Sequence, residues 1–220
     1  MLAAKKIHTI VIGAGSGGLT ASIGLAKAGK EVLLIERKHM GGDCTNTGCV
    51  PSKALIHQAQ TAHMLTERGV DISTVSSTAL QTVRDTIGGF LTEETPEKVA
   101  EHGVEVVLGN AQFVEAHTVA VEGTHYTAKH IIISTGSKPR MLSASGIGQA
   151  NVHTSDSIFT LKAIPKKLLV IGSGPIGIEL GQAFARLGSE VTIASIDDSL
   201  GKLEEPEVAA ELQAQVKQSS

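Results

Sequence analysis

Hydrophobic positions along the chain fall into two periods. Residues Ile7 to Ile12 form a short β-branched apolar run, followed by GAGSGG. LTASIGLAKAGK comes next, with apolar positions at helical spacing and Gly29 as a stop. EVLLIE then reads as a second buried strand. Strand, glycine loop, helix and strand within about 30 residues define a βαβ unit. Residues Pro51 to Arg68 predict an amphipathic helix through Ala54, Leu55, Ala59, Ala62 and Leu65, and a less regular helical region runs from Thr78 to His102. The period then shortens. VEVVLG, AQFVEA, HTVAVEG and THYTAK alternate between glycine, asparagine or charged turns and predict a small β-meander. HIIISTGSKPR returns to a buried strand ending in a glycine turn.

Asn151 to Pro165 is polar and loop-like, and forms the best domain boundary. After it the first pattern repeats, since KKLLVIGSGPIGIELGQAFARLGSEVTIAS again reads strand, glycine loop, helix, glycine, strand. Such an internal duplication predicts two nucleotide-binding units. The tail, EEPEVAAELQAQVKQSS, begins a further helix. The expected fold is therefore α/β. A Rossmann-like domain with a parallel sheet and a β-meander occupies residues 1–163, and the first βαβ part of a second Rossmann-like domain occupies residues 164–220.

Composition narrows the partners. With 41% hydrophobic residues, 19% charged residues and a net charge of −3, near-neutrality argues against a nucleic-acid partner. Twenty-four glycines beside one tyrosine, four phenylalanines and no tryptophan point to an aliphatic, turn-rich interior. No apolar run approaches the ~20 residues that span a bilayer, so no membrane partner is expected. MLAAKKIHTIVIGAG runs straight into a strand without the longer apolar stretch of a signal peptide, and a cytoplasmic location is expected. The nine histidines show no metal-ligand spacing.

In the first loop Gly13, Gly15 and Gly18 fill the G-x-G-x-x-G positions: a tight turn, a close approach to a pyrophosphate, and close helix–strand packing. Glu36 ends the second strand, where a carboxylate accepts from ribose hydroxyls. In the second loop Gly172, Gly174 and Gly177 have the same roles, with Glu179 two residues later. Its ribose-reading position is near Ser195 rather than an acid, with Asp197 and Asp198 slightly further on, and no arginine stands where a 2′-phosphate would be gripped. NAD and NADP both remain open.

Cys44 and Cys49 are the only cysteines among 220 residues and stand in GGDCTNTGCVPSK, just after the first βαβ unit. Two thiols beside a nucleotide site suggest a dithiol that opens and closes during turnover. Positions i and i+5 lie about 140° apart on an ideal helix, so a bond between them needs a distorted turn. Gly48 and Pro51 allow that, and a thiol near the following helix N-terminus has its thiolate stabilised. The alternatives are two buried free cysteines, or half a zinc site with His39 or His57, which lacks a second Cys/His cluster. Lys53 lies one helical turn after Cys49, where a cation favours a thiolate.

Together these motifs resemble the class I pyridine nucleotide-disulfide oxidoreductases, such as dihydrolipoamide dehydrogenase, glutathione reductase and mercuric reductase. GAGSGG with Glu36 resembles the FAD-binding unit, GNAQF around Ala111 the adenine segment, STGSKPR the second flavin motif, and GSGPIGIE the NAD(P)H unit. The resemblance implies FAD contacts at Gly13, Gly15, Ser16, Gly17 and Gly18, at Glu36 and Arg37, and at Gly42, Asp43, Cys44 and Lys53. It implies further flavin contacts at Ala111, Thr135 and Gly136, and NAD(P)H contacts at Gly172, Gly174, Ile176, Gly177, Glu179 and Ser195.

Catalytic roles follow from the same resemblance. Cys49 maps to the cysteine against the flavin, Cys44 to the one that exchanges with substrate, Lys53 to the lysine near flavin N5 and Glu179 to its partner. Electrons would pass from NAD(P)H to FAD to a Cys44–Cys49 disulfide and on to a small-molecule disulfide, dithiol or mercuric ion. Family members are about twice this length. Their later ribityl-holding motif and their interface domain, with its His-Glu pair and its homodimer contact, have no counterpart here. The alternative reading is a truncated, non-catalytic FAD-binding fragment of such an enzyme.

Overall fold

The computed structural model describes residues 4–196 and 205–218. The chain divides into two compact units, Met1–Cys49 with Ile87–Ser145, and Val50–Thr86 with Gly146–Ser220.

The first unit is built on β1 (Lys5–Ile12), β2 (Val32–Glu36), β3 (Val104–Leu108), β4 (Gln112–Glu115), β5 (Thr118–Val121) and β6 (Thr124–Ile133). These form one six-stranded sheet in the order β3-β2-β1-β6-β5-β4. β3, β2, β1 and β6 run parallel, while β5 and β4 extend the sheet antiparallel from β6. Every residue of β2 is buried. A strand covered on both faces has no polar side to show, which is why VLLIE lacks alternation.

Two clusters share the sheet faces. One gathers Ile10, Leu33, Ile35, Val119, Val121 and Tyr126, and the other Val11, Ala14, Val32, Leu34, Val99 and Val104. Neighbouring residues of β1 and β2 go to opposite clusters, as the two-residue period of a strand requires. Helix α1 (Ser16–Lys27) follows β1, and its Leu19 and Ile23 pack on the second cluster.

Two expectations for this unit change. VEVVLG is not part of the meander: as β3 it pairs in parallel with β2, and its Val104 and Val106 face the helix side. Short alternating runs do not reveal their partner strand. THYTAK and HIII are likewise one continuous strand, β6, whose first half pairs antiparallel with β5 while its length pairs parallel with β1.

Helix α2 (Gly42–Asn46) is a single short turn-and-a-half. Helix α3 (Cys49–Thr66) starts two residues before the expected Pro51 and buries Pro51, Leu55, Ala59 and Ala62, a stripe at helical spacing. The second helical region resolves into α4 (Ser73–Glu93) and α5 (Pro96–Ala100), divided at Thr95, whose hydroxyl caps α5 by accepting from Lys98 N at 3.2 Å. Serine or threonine before proline is a helix-start signal, which accounts for the break.

In the second unit β7 (Lys167–Ile171) and β8 (Glu190–Ala194) pair in parallel around α6 (Pro175–Arg186). Phe184 and Leu187 are fully buried there. Leu169 and Ile171, on the other face of β7, are each 61% exposed, so this small sheet is covered on one side only. Helix α7 (Pro206–Gln218) realises the helix expected in the tail. Asp197 and Asp198 lie outside the described residues. Among the described residues no helix is long and apolar enough to cross a membrane.

Candidate redox and nucleotide sites

In the first unit the glycine loop turns sharply after β1. Gly13 N donates to Ile35 O at 2.8 Å, and Gly13 itself adopts φ +103°, open only to glycine at low cost. A side chain at Gly18 would strike the Gly13 carbonyl. Gly15 caps α1 with no side-chain acceptor, so the first amides of the helix are left for an external anion. Ser16 and Gly17 are exposed at this end.

Glu36 closes β2 and is only 8% exposed. Its carboxylate accepts from Ala14 N at 2.7 Å and from Lys38 N at 2.6 Å. A carboxylate has about four lone-pair sites, so two remain for hydroxyl donors. Arg37, next in the chain, is exposed. Gly109 N donates to Glu36 O at 2.8 Å, which ties the segment after β3 to this corner, and Ala111 packs on the first core cluster.

Two further segments reach the same edge. Gly41 N donates to Ala14 O at 2.9 Å, and a side chain at Gly42 would come within 2.6 Å of Gly15 Cα. After β6, Ser134 N donates to Ile12 O at 2.8 Å, and Thr135 Cα lies 3.2 Å from where a Gly13 side chain would begin. Asp43 Oδ2 lies 3.0 Å from the corresponding position at Gly136. Ser134 Oγ is buried without a partner beside Gly17 and Gly18. Four segments far apart in sequence thus meet at the C-terminal edge of the parallel strands, the edge where open α/β sheets bind nucleotides.

Cys44 sits in α2 and Cys49 is the first residue of α3. The two are thiols rather than a disulfide, Cys44 half-buried and Cys49 exposed. The Cys44 thiol is pushed above the usual range, chiefly by its hydrogen bond with Cys49, then by burial, with a smaller contribution from Glu94. Asn46 braces α2 by donating to Met40 O at 2.9 Å and Gly42 O at 2.8 Å. No cluster of three or more metal-ligating residues occurs among the described residues. Glu94 was not legible as a site residue, because nothing local marks an acid 49 positions from Thr45 as its neighbour.

In the second unit the loop repeats the first. Gly172 N donates to Ala194 O at 2.8 Å, Gly172 adopts φ +114°, and a Gly177 side chain would strike the Gly172 carbonyl. Gly174 caps α6, and Ile176 is 60% exposed just inside it. Ser173 Oγ donates to Ser195 Oγ at 2.9 Å. Lys53 and Glu179, 126 positions apart, form an ion pair with both Glu179 oxygens at 2.8 and 3.0 Å.

These features agree with comparison to known proteins. The pyridine nucleotide-disulphide oxidoreductase profile matches residues 7–220, so the chain belongs to that family, in its class I, mercuric reductase- and dihydrolipoamide dehydrogenase-like group. Mercuric reductase from Lysinibacillus sphaericus is 36% identical over 91% of this chain and 38% of its own length. Dihydrolipoyl dehydrogenase from Thermus scotoductus is 38% identical over 86% of this chain and 42% of its own length. The HOCl-induced flavoprotein disulfide reductase RclA from Escherichia coli, solved as a Cu(II) complex, superposes with a TM-score of 0.81 at 28% identity. That match covers 96% of this chain and 47% of RclA. The chain therefore spans less than half the length of these relatives.

Proposed function

We propose that this chain is the flavin-and-dithiol half of a class I flavoprotein disulfide reductase. It binds FAD at the Gly13–Glu36 corner, carries the Cys44–Cys49 redox pair, and as these 220 residues alone does not complete turnover. The observation that carries the reading is the meeting of the glycine loop, Glu36, the Gly41–Cys44 turn and the Ser134–Gly136 turn at one sheet edge. The cradle suits a dinucleotide: it is lined by backbone, has an uncapped helix N-terminus for a pyrophosphate, and holds a buried carboxylate and an orphaned Ser134 hydroxyl.

FAD at this site would supply the conversion between a hydride, which carries two electrons at once, and a disulfide, which accepts them through its sulfurs. The chain's own residues do the rest. The first α1 amides neutralise the pyrophosphate, Glu36 accepts from ribose, and Asp43, Ala111, Thr135 and Gly136 are assigned to the remaining flavin contacts. Cys49 at the start of α3 is assigned to lie against the flavin, and Cys44 to exchange with the acceptor. Lys53 and Glu179 are assigned as the flavin-facing ion pair, and Gly172, Gly174, Gly177 and Ser195 as the NAD(P)H loop.

In the whole protein, residues 1–163 and 164–220 would belong to successive FAD and NAD(P)H domains. The acceptor would be a small disulfide, a dithiol or mercuric ion, in a cytoplasmic homodimer. Relatives more than twice as long support assigning the final proton transfers elsewhere, to an imidazole held near neutrality. Calorimetric titration with FAD, thiol counting before and after dithiothreitol, and NADH or NADPH oxidation with lipoamide, glutathione disulfide or mercuric ion form the test. The expected result is FAD uptake, two additional thiols after reduction, and no turnover. No FAD uptake at high micromolar flavin, or turnover above about 1 per second, overturns the reading.

A further inference from the structure

Glu94 is a half-buried acid that the site described above leaves without a task. It occupies the joint between α4 and α5, immediately before the Thr95 cap, so both helices fix its backbone. Its side chain reaches α2, where the Thr45 hydroxyl donates to Oε1 at 3.2 Å. Thr45 is itself only 3% exposed. The second oxygen, Oε2, is buried with no hydrogen-bond partner, in the space a side chain at Gly41 would take. A buried carboxylate oxygen without a partner is costly, and stability alone would favour an amide or an apolar group there. The charge stands against the two residues that bracket the Cys44 segment, Gly41 and Thr45.

We propose that Glu94 is a positioning residue for Cys44: it clamps the short helix carrying that cysteine and sets a fixed negative charge on its side of the pair. In the reduced state the proton therefore stays on Cys44 and the negative charge falls to Cys49. The inference rests on the reading of Cys44 and Cys49 as a redox pair. Two electrons and one proton, from a reduced flavin or from dithiothreitol, convert the disulfide into one thiol and one thiolate. Electrostatics then decides which sulfur holds the proton. The titratable groups acting on Cys44 are Cys49 from α3, whose side chain pushes its thiol up while its backbone amide opposes that, and Glu94 from the α4–α5 joint, which adds to the upward push. A charge held by the fold acts on the same sulfur in every cycle.

The test is iodoacetamide alkylation of the reduced protein across pH, with each cysteine followed separately by mass spectrometry. Glu94→Gln keeps the shape and the Thr45 hydrogen bond but removes the charge. The expected result is a Cys44 profile moved to lower pH, a Cys49 profile moved less, and no loss of melting temperature. Thr45→Val keeps the charge but frees it, and the Cys44 profile moves the same way by a smaller amount. Glu94→Asp, which retains the charge, stays nearer the parent profile than Glu94→Gln. A Cys44 profile unmoved in both Glu94→Gln and Thr45→Val, or both cysteines moving equally, overturns the proposal. Failure of the redox-pair reading is seen separately, as a thiol count that dithiothreitol leaves unchanged.

Discussion

The two glycine loops share almost the same backbone in very different surroundings. Each begins with a glycine at φ +103° or +114°, whose amide donates 2.8 Å to a carbonyl at the C-terminal end of the next strand. Each helix is capped by an extended glycine without a side-chain acceptor. Yet β2 is buried along its whole length, whereas β7 and β8 expose alternate residues. The loop geometry is thus written locally by the glycine spacing, not by the sheet around it. The ends of the second strands differ as well. Glu36 holds a buried carboxylate against two backbone amides, whereas Ser195, at the same distance from its loop, is an exposed hydroxyl that accepts from Ser173 Oγ.

The harshest way to break this parallel is a side chain at the third glycine. Gly18→Ala and Gly177→Ala both drive a methyl group into the preceding loop carbonyl, but Gly18 is also hemmed by Ser134 Oγ at 3.0 Å. Gly18→Ala should cost at or above the upper end of about 1–3 kcal/mol, with loss of FAD uptake, and Gly177→Ala should cost less. Denaturant melts of both variants measure it, and equal costs would mean that surroundings do not matter.

Next in size is the carboxylate. Glu36→Gln keeps the volume but replaces one acceptor oxygen by a donor facing backbone amides, so a loss of about 1–3 kcal/mol and weaker FAD binding are expected. Ser195→Ala, which removes one hydroxyl of an exchangeable pair, should stay within about 1 kcal/mol. A third variant, Ser195→Glu, makes the second loop resemble the first. Calorimetry with 2′,5′-ADP and 5′-ADP should then show the 2′-phosphate ligand weakened by about tenfold relative to the other. The smallest effect belongs to Lys53→Met. Its ion pair is exposed at both side chains, 60% and 44%, so the melting free energy should change by less than about 1 kcal/mol.

Legibility in the sequence followed the range of each interaction. Gly18 and Gly177 could be read because the carbonyl each side chain would strike lies five residues back, and Glu36 because a strand carries it to a fixed place. The early start of α3 at Cys49 was missed because Pro51 suits more than one position in a first turn. The pairing of β3 with β2 was hidden because register between distant strands leaves no local trace. Glu94 was hidden for the same reason: its partners, Gly41 and Thr45, are half a domain away in sequence.

Tyr126 gives one more consequence. It is the sole tyrosine of a chain without tryptophan, and it lies 7% exposed in the core of the six-stranded sheet. Its emission is therefore a one-site optical reporter confined to the first unit, and the second unit melts in silence at that wavelength. Disagreement between tyrosine fluorescence and far-ultraviolet dichroism during unfolding would reveal directly whether the two units come apart together or in turn.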